Sequence, residues 1–153
     1  MNQPPPSWLL EPQWFFLFFV LFWAGICGLL AILGGWASLA TYFRAGDNVD
    51  GVRLRFASGS MGIRFFPVHY RSCLFVTVTD TGFRLSILFL FRVLSPPLFI
   101  PWTSVASIEP KRFLFFSYTV VKLREQWPII SVRGRAGRQI EQAYARASSS
   151  KVP

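Results

Sequence analysis

The hydrophobic pattern changes period as the chain is read from its N-terminus. Between Glu11 and Arg44 no side chain is charged, and Trp14 to Trp36 reads WFFLFFVLFWAGICGLLAILGGW. The hydrocarbon core of a bilayer is about 30 Å thick and takes about 20 apolar residues in a helix. As a helix, Trp14 to Trp36 extends about 34 Å. Trp14 and Trp36 then fall at its ends, where interfacial aromatic belts form, and Trp23 falls inside it. The stretch predicts one membrane span. Trp36, Leu39, Ala40 and Phe43 recur at helical spacing, so residues 13–44 are read as the span with an amphipathic exit turn. Gly34-Gly35 permits a kink or close packing, and Gly46-Asp47-Asn48 supplies the stop.

From Val52 onward the period is two. Val52, Leu54 and Phe56 alternate with Arg53 and Arg55, as in a strand with one buried and one wet face. Ser58-Gly59-Ser60 is expected to break that strand. Ile63 to Phe66 reads as a short apolar piece stopped by Pro67. Cys73 to Thr79 reads as a strand, turned by Asp80-Thr81-Gly82 into a second one. On that second strand Phe83, Leu85, Ile87, Phe89 and Phe91 share a face, opposite Arg84, Ser86 and Arg92. Leu85 to Trp102 is apolar enough to suggest another span. Arg92 and the prolines Pro96, Pro97 and Pro101 argue against a membrane helix there. Pro97 to Trp102 and Val105 to Glu109 read as short strands, and Phe113 to Leu123 as a longer alternating one. Ile129 to Val132 follows. A closing helix begins near Gly134–Gly137, with Ile140, Ala143, Tyr144 and Ala147 on one face.

The order is one apolar helix, about six or seven antiparallel strands and one amphipathic helix. The predicted fold class is mainly β with α, a compact barrel or bent sandwich capped by the last helix. Residues 1–12 form a short Pro-rich lead-in, 50–147 the β-domain with its helix, and 148–153 a tail.

Composition sharpens the membrane reading. The 153 residues suit one small domain plus an anchor. A secretory signal would carry a basic start and a shorter apolar core. The first 13 residues have no Lys or Arg, so a retained span is expected. The net charge of +9 falls almost wholly after the span. Basic residues are kept on the cytoplasmic side, which places the N-terminus outside and the domain inside, at the inner membrane. Arg outnumbers Lys; its planar donor fork suits phosphate or carboxylate, and a codon bias toward Arg accounts for it equally well. Cys27 and Cys73 are expected to lie too far apart to pair.

Candidate chemistry is sparse. His69 is the only histidine, so metal clusters built on His and Cys are nearly excluded and no cofactor is expected. The carboxylates are scattered, and Gly134-Arg135-Ala136-Gly137 follows no phosphate-loop pattern. No residue set specifies a reaction, and the chain is not expected to be an enzyme. The remaining signal is basic surface. Arg44, Arg53, Arg55, Arg64 and Arg71 are candidate contacts for anionic lipid, or the ordinary solvated face of a strand. Arg133, Arg135 and Arg138 form a second cluster, read as helix capping and solubility; nucleic acid is a poor partner for a tethered chain of this pattern.

The hairpin VTVTDTGFRLSILF, the following PLFIPWTSVASIE and the closing helix GRQIEQAYARA resemble the pleckstrin-homology-like superfold in its bacterial and GRAM-like forms. The I-P-W pattern of such domains is matched by Ile100, Pro101 and Trp102, with Val105 after it. Together with GWASLATYFRA, these motifs look like bacterial membrane proteins with one N-terminal span. The resemblance covers residues 35–146 and implies a PH-like fold binding lipid, peptide or protein. The first-hairpin K-x-R spacing of lipid-binding members has no clear counterpart. Two functional classes follow. One is a membrane-anchored interaction module for a protein, a peptide or anionic lipid. The other is a structural subunit whose span, with Ala24, Gly25 and Gly28, packs against other helices.

Reporter fusions at both ends test the orientation. A C-terminal reporter active only in the cytoplasm is expected, and an exported C-terminus contradicts the assignment.

Overall fold

The computed structural model describes residues 12–46, 49–63, 66–125 and 128–150, without the side chains of 63 and 66. Arg64, Asp47, Asn48, Trp127 and both terminal tails lie outside the described residues. Helix α1 is Pro12–Leu33 and α2 is Trp36–Phe43. The strands are β1 (Val52–Ile63), β2 (Phe66–Val78), β3 (Gly82–Ile87), β4 (Leu98–Pro101), β5 (Val105–Phe113), β6 (Phe116–Leu123) and β7 (Ile129–Arg133). Helix α3, Gly134–Ser149, closes the chain. The strands form one antiparallel sheet in the order β4-β3-β2-β1-β7-β6-β5, curled into a half-barrel.

Among the described residues, α1 is the one helix long and apolar enough to cross a membrane, at 22 residues or about 33 Å. Length and composition alone support that statement. The helix does not run through to Trp36. Gly35 has φ 74, a left-handed conformation that glycine adopts without strain, and the chain turns there into α2. Trp36 is therefore not at a membrane interface: it is 0% exposed and lies in the core of the β-domain. Its indole Nε1 donates to the Pro96 carbonyl at 2.8 Å, and its ring meets Tyr70 at 5.8 Å. Leu39 is buried beside it, so the core begins at Trp36 rather than at residue 50.

Alternation defines the core as expected for much of the sheet. Leu74, Val76 and Val78 of β2 and Phe83, Leu85 and Ile87 of β3 point inward. Val121 and Leu123 of β6 and Ile130 and Val132 of β7 complete the lining. Trp102, in a single 3-10 turn after β4, packs between Phe83 (5.5 Å) and Tyr144 of α3 (5.7 Å). Gly137 brings α3 close to β6, because a Cβ there would collide with the Thr119 hydroxyl. Ile140 fills the space beneath the helix, and Ala143, Tyr144 and Ala147 pack against the same core, as their spacing predicts.

Several boundaries differ from the sequence expectation. Ser58-Gly59-Ser60 does not end β1; it pairs on both sides, with β2 and with β7. The strand bends instead, through irregularities between Leu54 and Gly59. An extra residue in the ladder turns a strand without ending it. Pro67 does not stop the next element, because it lies near the start of β2, paired with Gly62. At the other end, β3 ends at Ile87. Phe89–Phe91 form a 3-10 turn, so Phe89 leaves the buried face while Phe91 stays partly buried against the core. The segment Phe113 to Leu123 is not one strand, since β5 and β6 meet in a tight turn at Leu114-Phe115.

Replacing Gly35 by Ala should cost about 2 kcal/mol, because the left-handed backbone disfavours a Cβ. That Cβ would also sit 2.7 Å from Pro128 Cγ. Thermal melts of the full chain in detergent check this, with Gly46→Ala, in open space, as the neutral control.

Candidate functional site

Three arginines come together on the outer face of the sheet. Arg53 of β1 is paired with Thr77 of β2, Thr77 with Arg84 of β3, and Arg84 with Phe99 of β4. Paired residues share a face, so these four form a row across the strands. The neighbouring row, Leu54, Val76, Leu85 and Leu98, turns to the core. The bulge after Leu54 then places Arg55 and Phe56 outward one after the other, with Phe56 at φ 57. The Phe56 ring meets Phe75 at 5.7 Å. The result is a groove of about 410 Å³ bounded by Arg53, Arg55, Arg84, Phe56, Phe75, Thr77 and Ser86.

Among the described residues no carboxylate lines this groove. Arg84 has a further interaction of its own, and Arg53 and Arg55 bring two more guanidinium groups to the same rim. A phosphate or carboxylate group placed there can accept hydrogen bonds from these planar forks. The aromatic rings beside the arginines add flat apolar surface. Chemically, the groove is suited to an anionic group carried on an apolar or extended body.

The sequence candidates are only partly united. Arg53 and Arg55 share the groove, and Arg84, read earlier only as the wet face of its strand, is the third member. What identifies it is register, since Thr77 lies between Arg53 and Arg84. Arg71 stands elsewhere, at a cavity between α1 and β2. It lies six residues from Thr77, about 20 Å along a strand. Arg44 forms a bridge with Leu98 at the end of α2. Of the span tryptophans, Trp14 is exposed at the free end of α1, and Trp23 touches the domain.

That cavity, about 260 Å³, is lined by Cys27, Ala31, Tyr70, Arg71 and Cys73 among others. The two thiols, expected in separate compartments, thus face one space, and both are free. His69 lines it too, yet no group of three metal-ligating side chains is assembled among the described residues. Burial pushes the Cys73 thiol up and, joined by the charge of Cys73, holds Tyr70 at about 12. The small-residue face of α1 is used here as well. Gly28 lies under Leu94, where a Cβ would be 3.1 Å from its Cδ1, and Ala31 is buried.

The second basic cluster is not a helix cap. Arg133 precedes α3 without a side-chain capping bond, and its guanidinium instead lies 5.8 Å over the Phe116 ring. Phe116 belongs to the β5–β6 turn, whose four residues Phe113 to Phe116 are all exposed, Phe115 at 94%. Reading that segment as one strand had hidden this apolar tip. Comparison with protein-family models and with curated proteins returned no match.

Tyr70 offers a pH test. Its proton is held to about 12 in the folded chain against 10.0 ordinarily, so stability should be intact below pH 10 and fall as pH rises toward 12. Tyrosinate absorbance in detergent should show one late-ionising tyrosine, and Tyr70→Phe should remove it together with that alkaline loss.

Proposed function

We propose that this chain is a membrane-anchored, non-catalytic interaction module. In this reading α1 crosses the inner membrane with the N-terminus outside, and a PH-like domain stands at the cytoplasmic face. The domain binds a protein or peptide through an anionic group seated in the Arg53–Arg55–Arg84 groove. The observation that carries it is the row Arg53-Thr77-Arg84, three strands wide, with Arg55 beside it on the same groove. Support for the PH-like assignment comes from the curled antiparallel sheet, the Trp102 anchor and the helix packed on it at the C-terminus.

The groove favours a partner's anion over the headgroups of the anchoring bilayer. Its Thr77 lies six residues, about 20 Å, along β2 from Arg71 in the cavity beside α1, and its near edge at Phe75 is two residues from Cys73 of that cavity. Assembly through the span has less support, because Gly28 and Ala31 already face the domain.

The test is thermal stabilisation of the full chain in nanodiscs by a poly-glutamate peptide and by inorganic pyrophosphate. Stabilisation is expected for at least one of them. Each charge-assisted hydrogen bond contributes about 1.5–3 kcal/mol, so Arg53→Gln/Arg55→Gln/Arg84→Gln should weaken binding at least about tenfold. Failure of both probes to stabilise the parent protein sinks the groove as a binding site.

A further inference from the structure

We propose that the β3–β4 loop, residues 88–97, is a second membrane element. Phe89, Leu90 and Leu94 lie among the acyl chains of the leaflet next to the domain, beside α1, while Arg92 and Arg44 meet its phosphates. The proposal rests on α1 lying in the bilayer.

The first argument is depth. The loop touches α1 well above its C-terminal end. Trp23 Nε1 donates to the Leu90 carbonyl at 3.4 Å, the Trp23 and Phe91 rings are 5.3 Å apart, and Leu94 covers Gly28. From Trp23 to Leu33 a helix rises about 15 Å, half the thickness of a hydrocarbon core. If the bilayer stopped at Trp23, only residues 12–22 would be immersed, about 16 Å. Ile26, Leu29, Ile32 and Leu33, all exposed on α1, would then stand in water. Bringing lipid down to Leu33 covers them, and it necessarily brings lipid around the loop.

The loop's own surface is the second argument. Phe89 is 78% exposed, Leu90 55% and Leu94 62%, contiguous with the exposed face of α1. Among the described residues nothing covers them. Leu94 is held at φ 55, a conformation that a branched side chain adopts only when its surroundings impose it.

Backbone chemistry is the third. Each polar group of irregular chain that is satisfied within the protein lowers the cost of entering hydrocarbon. Here Leu88 N–H donates to Cys73, Phe91 to Leu88, Arg92 to Phe89 and Ser95 to Arg92, all within 3.1 Å, while the N–H groups of Phe89, Leu90, Val93 and Leu94 make no such bond among the described residues. The Leu90 carbonyl accepts from Trp23, Pro96 from Trp36 and Pro97 from the Ala45 N–H. Pro96 and Pro97 have no N–H to satisfy. The charged group is placed accordingly. Arg92 lines a cleft of about 1220 Å³ with Ile32, Ala40 and Arg44, toward the domain end of α1, where a long side chain reaches headgroups from an apolar base.

Nitroxide accessibility in anionic-lipid nanodiscs tests the proposal on the full chain with Cys27→Ala and Cys73→Ala. Labels go on Phe89→Cys and Leu90→Cys, exposed side chains, with Phe18→Cys on the free half of α1 and Thr103→Cys on the far side of the sheet as references. Both loop labels should be about tenfold less accessible to a water-soluble nickel chelate than the Thr103 label, because hydrocarbon excludes polar solutes. Loop labels as accessible as Thr103, with Phe18 protected, overturn the insertion and leave the anchor standing. Aqueous accessibility at all four sites overturns both.

Discussion

Trp36 joins a membrane-length helix to a β-sheet so that neither packs without the other. Its ring fills the core against Tyr70, and its indole N–H is satisfied by the carbonyl of Pro96 in the loop that also touches Trp23. An indole buried this completely contributes several kcal/mol; truncating such a residue costs about 3–5 kcal/mol. Gly35 makes the placement possible by turning the chain immediately before it. The order of contacts then follows. The half of α1 from Trp23 onward lies on the domain, and the half before it stands free. Helix α1 is therefore a continuation of the fold, joined to α2 through Gly34-Gly35 and packed on the sheet by its second half.

The same constraint orders the surface. Along the strands, the loop beside α1 and the Arg71 cavity gather toward one end of β2. The arginine groove sits toward the other, on the outer face, where the curled sheet presents β1, β2 and β3 side by side. Of the four non-glycine residues in left-handed backbone, Phe56, Leu94 and Leu114 carry exposed apolar side chains. Backbone strain is therefore concentrated where the chain displays apolar surface.

Much of this was legible from residues alone. Period-two alternation located the strands that line the core, and the spacing of Ile140, Ala143, Tyr144 and Ala147 gave the face of α3. An uncharged run located α1. What alternation does not carry is the partner of each strand. Arg84 could not be joined to Arg53 without knowing that Thr77 lies between them, so the third member of the groove was missed. Ser58-Gly59-Ser60 was misread because polar small residues mark a turn in isolation, whereas here two neighbouring strands hold them in the ladder. Trp36 was assigned to an interface because its flanks are apolar; an indole in a protein core has the same flanks. The high hydropathy from Leu85 to Trp102 was rightly denied to a second helix, yet it recorded a real feature, the exposed apolar loop.

The burial of Trp36 and Leu39 also bears on where the chain can be divided. These residues precede every strand in the chain and follow directly on a membrane-length helix, and the sheet closes over them. A fragment beginning at residue 50 would have every strand and α3 but a hollow where the indole and leucine belong. Cutting the chain after α2 thus removes part of the domain's interior, and cutting it after α1 still removes Ala31, which is 1% exposed in the same core.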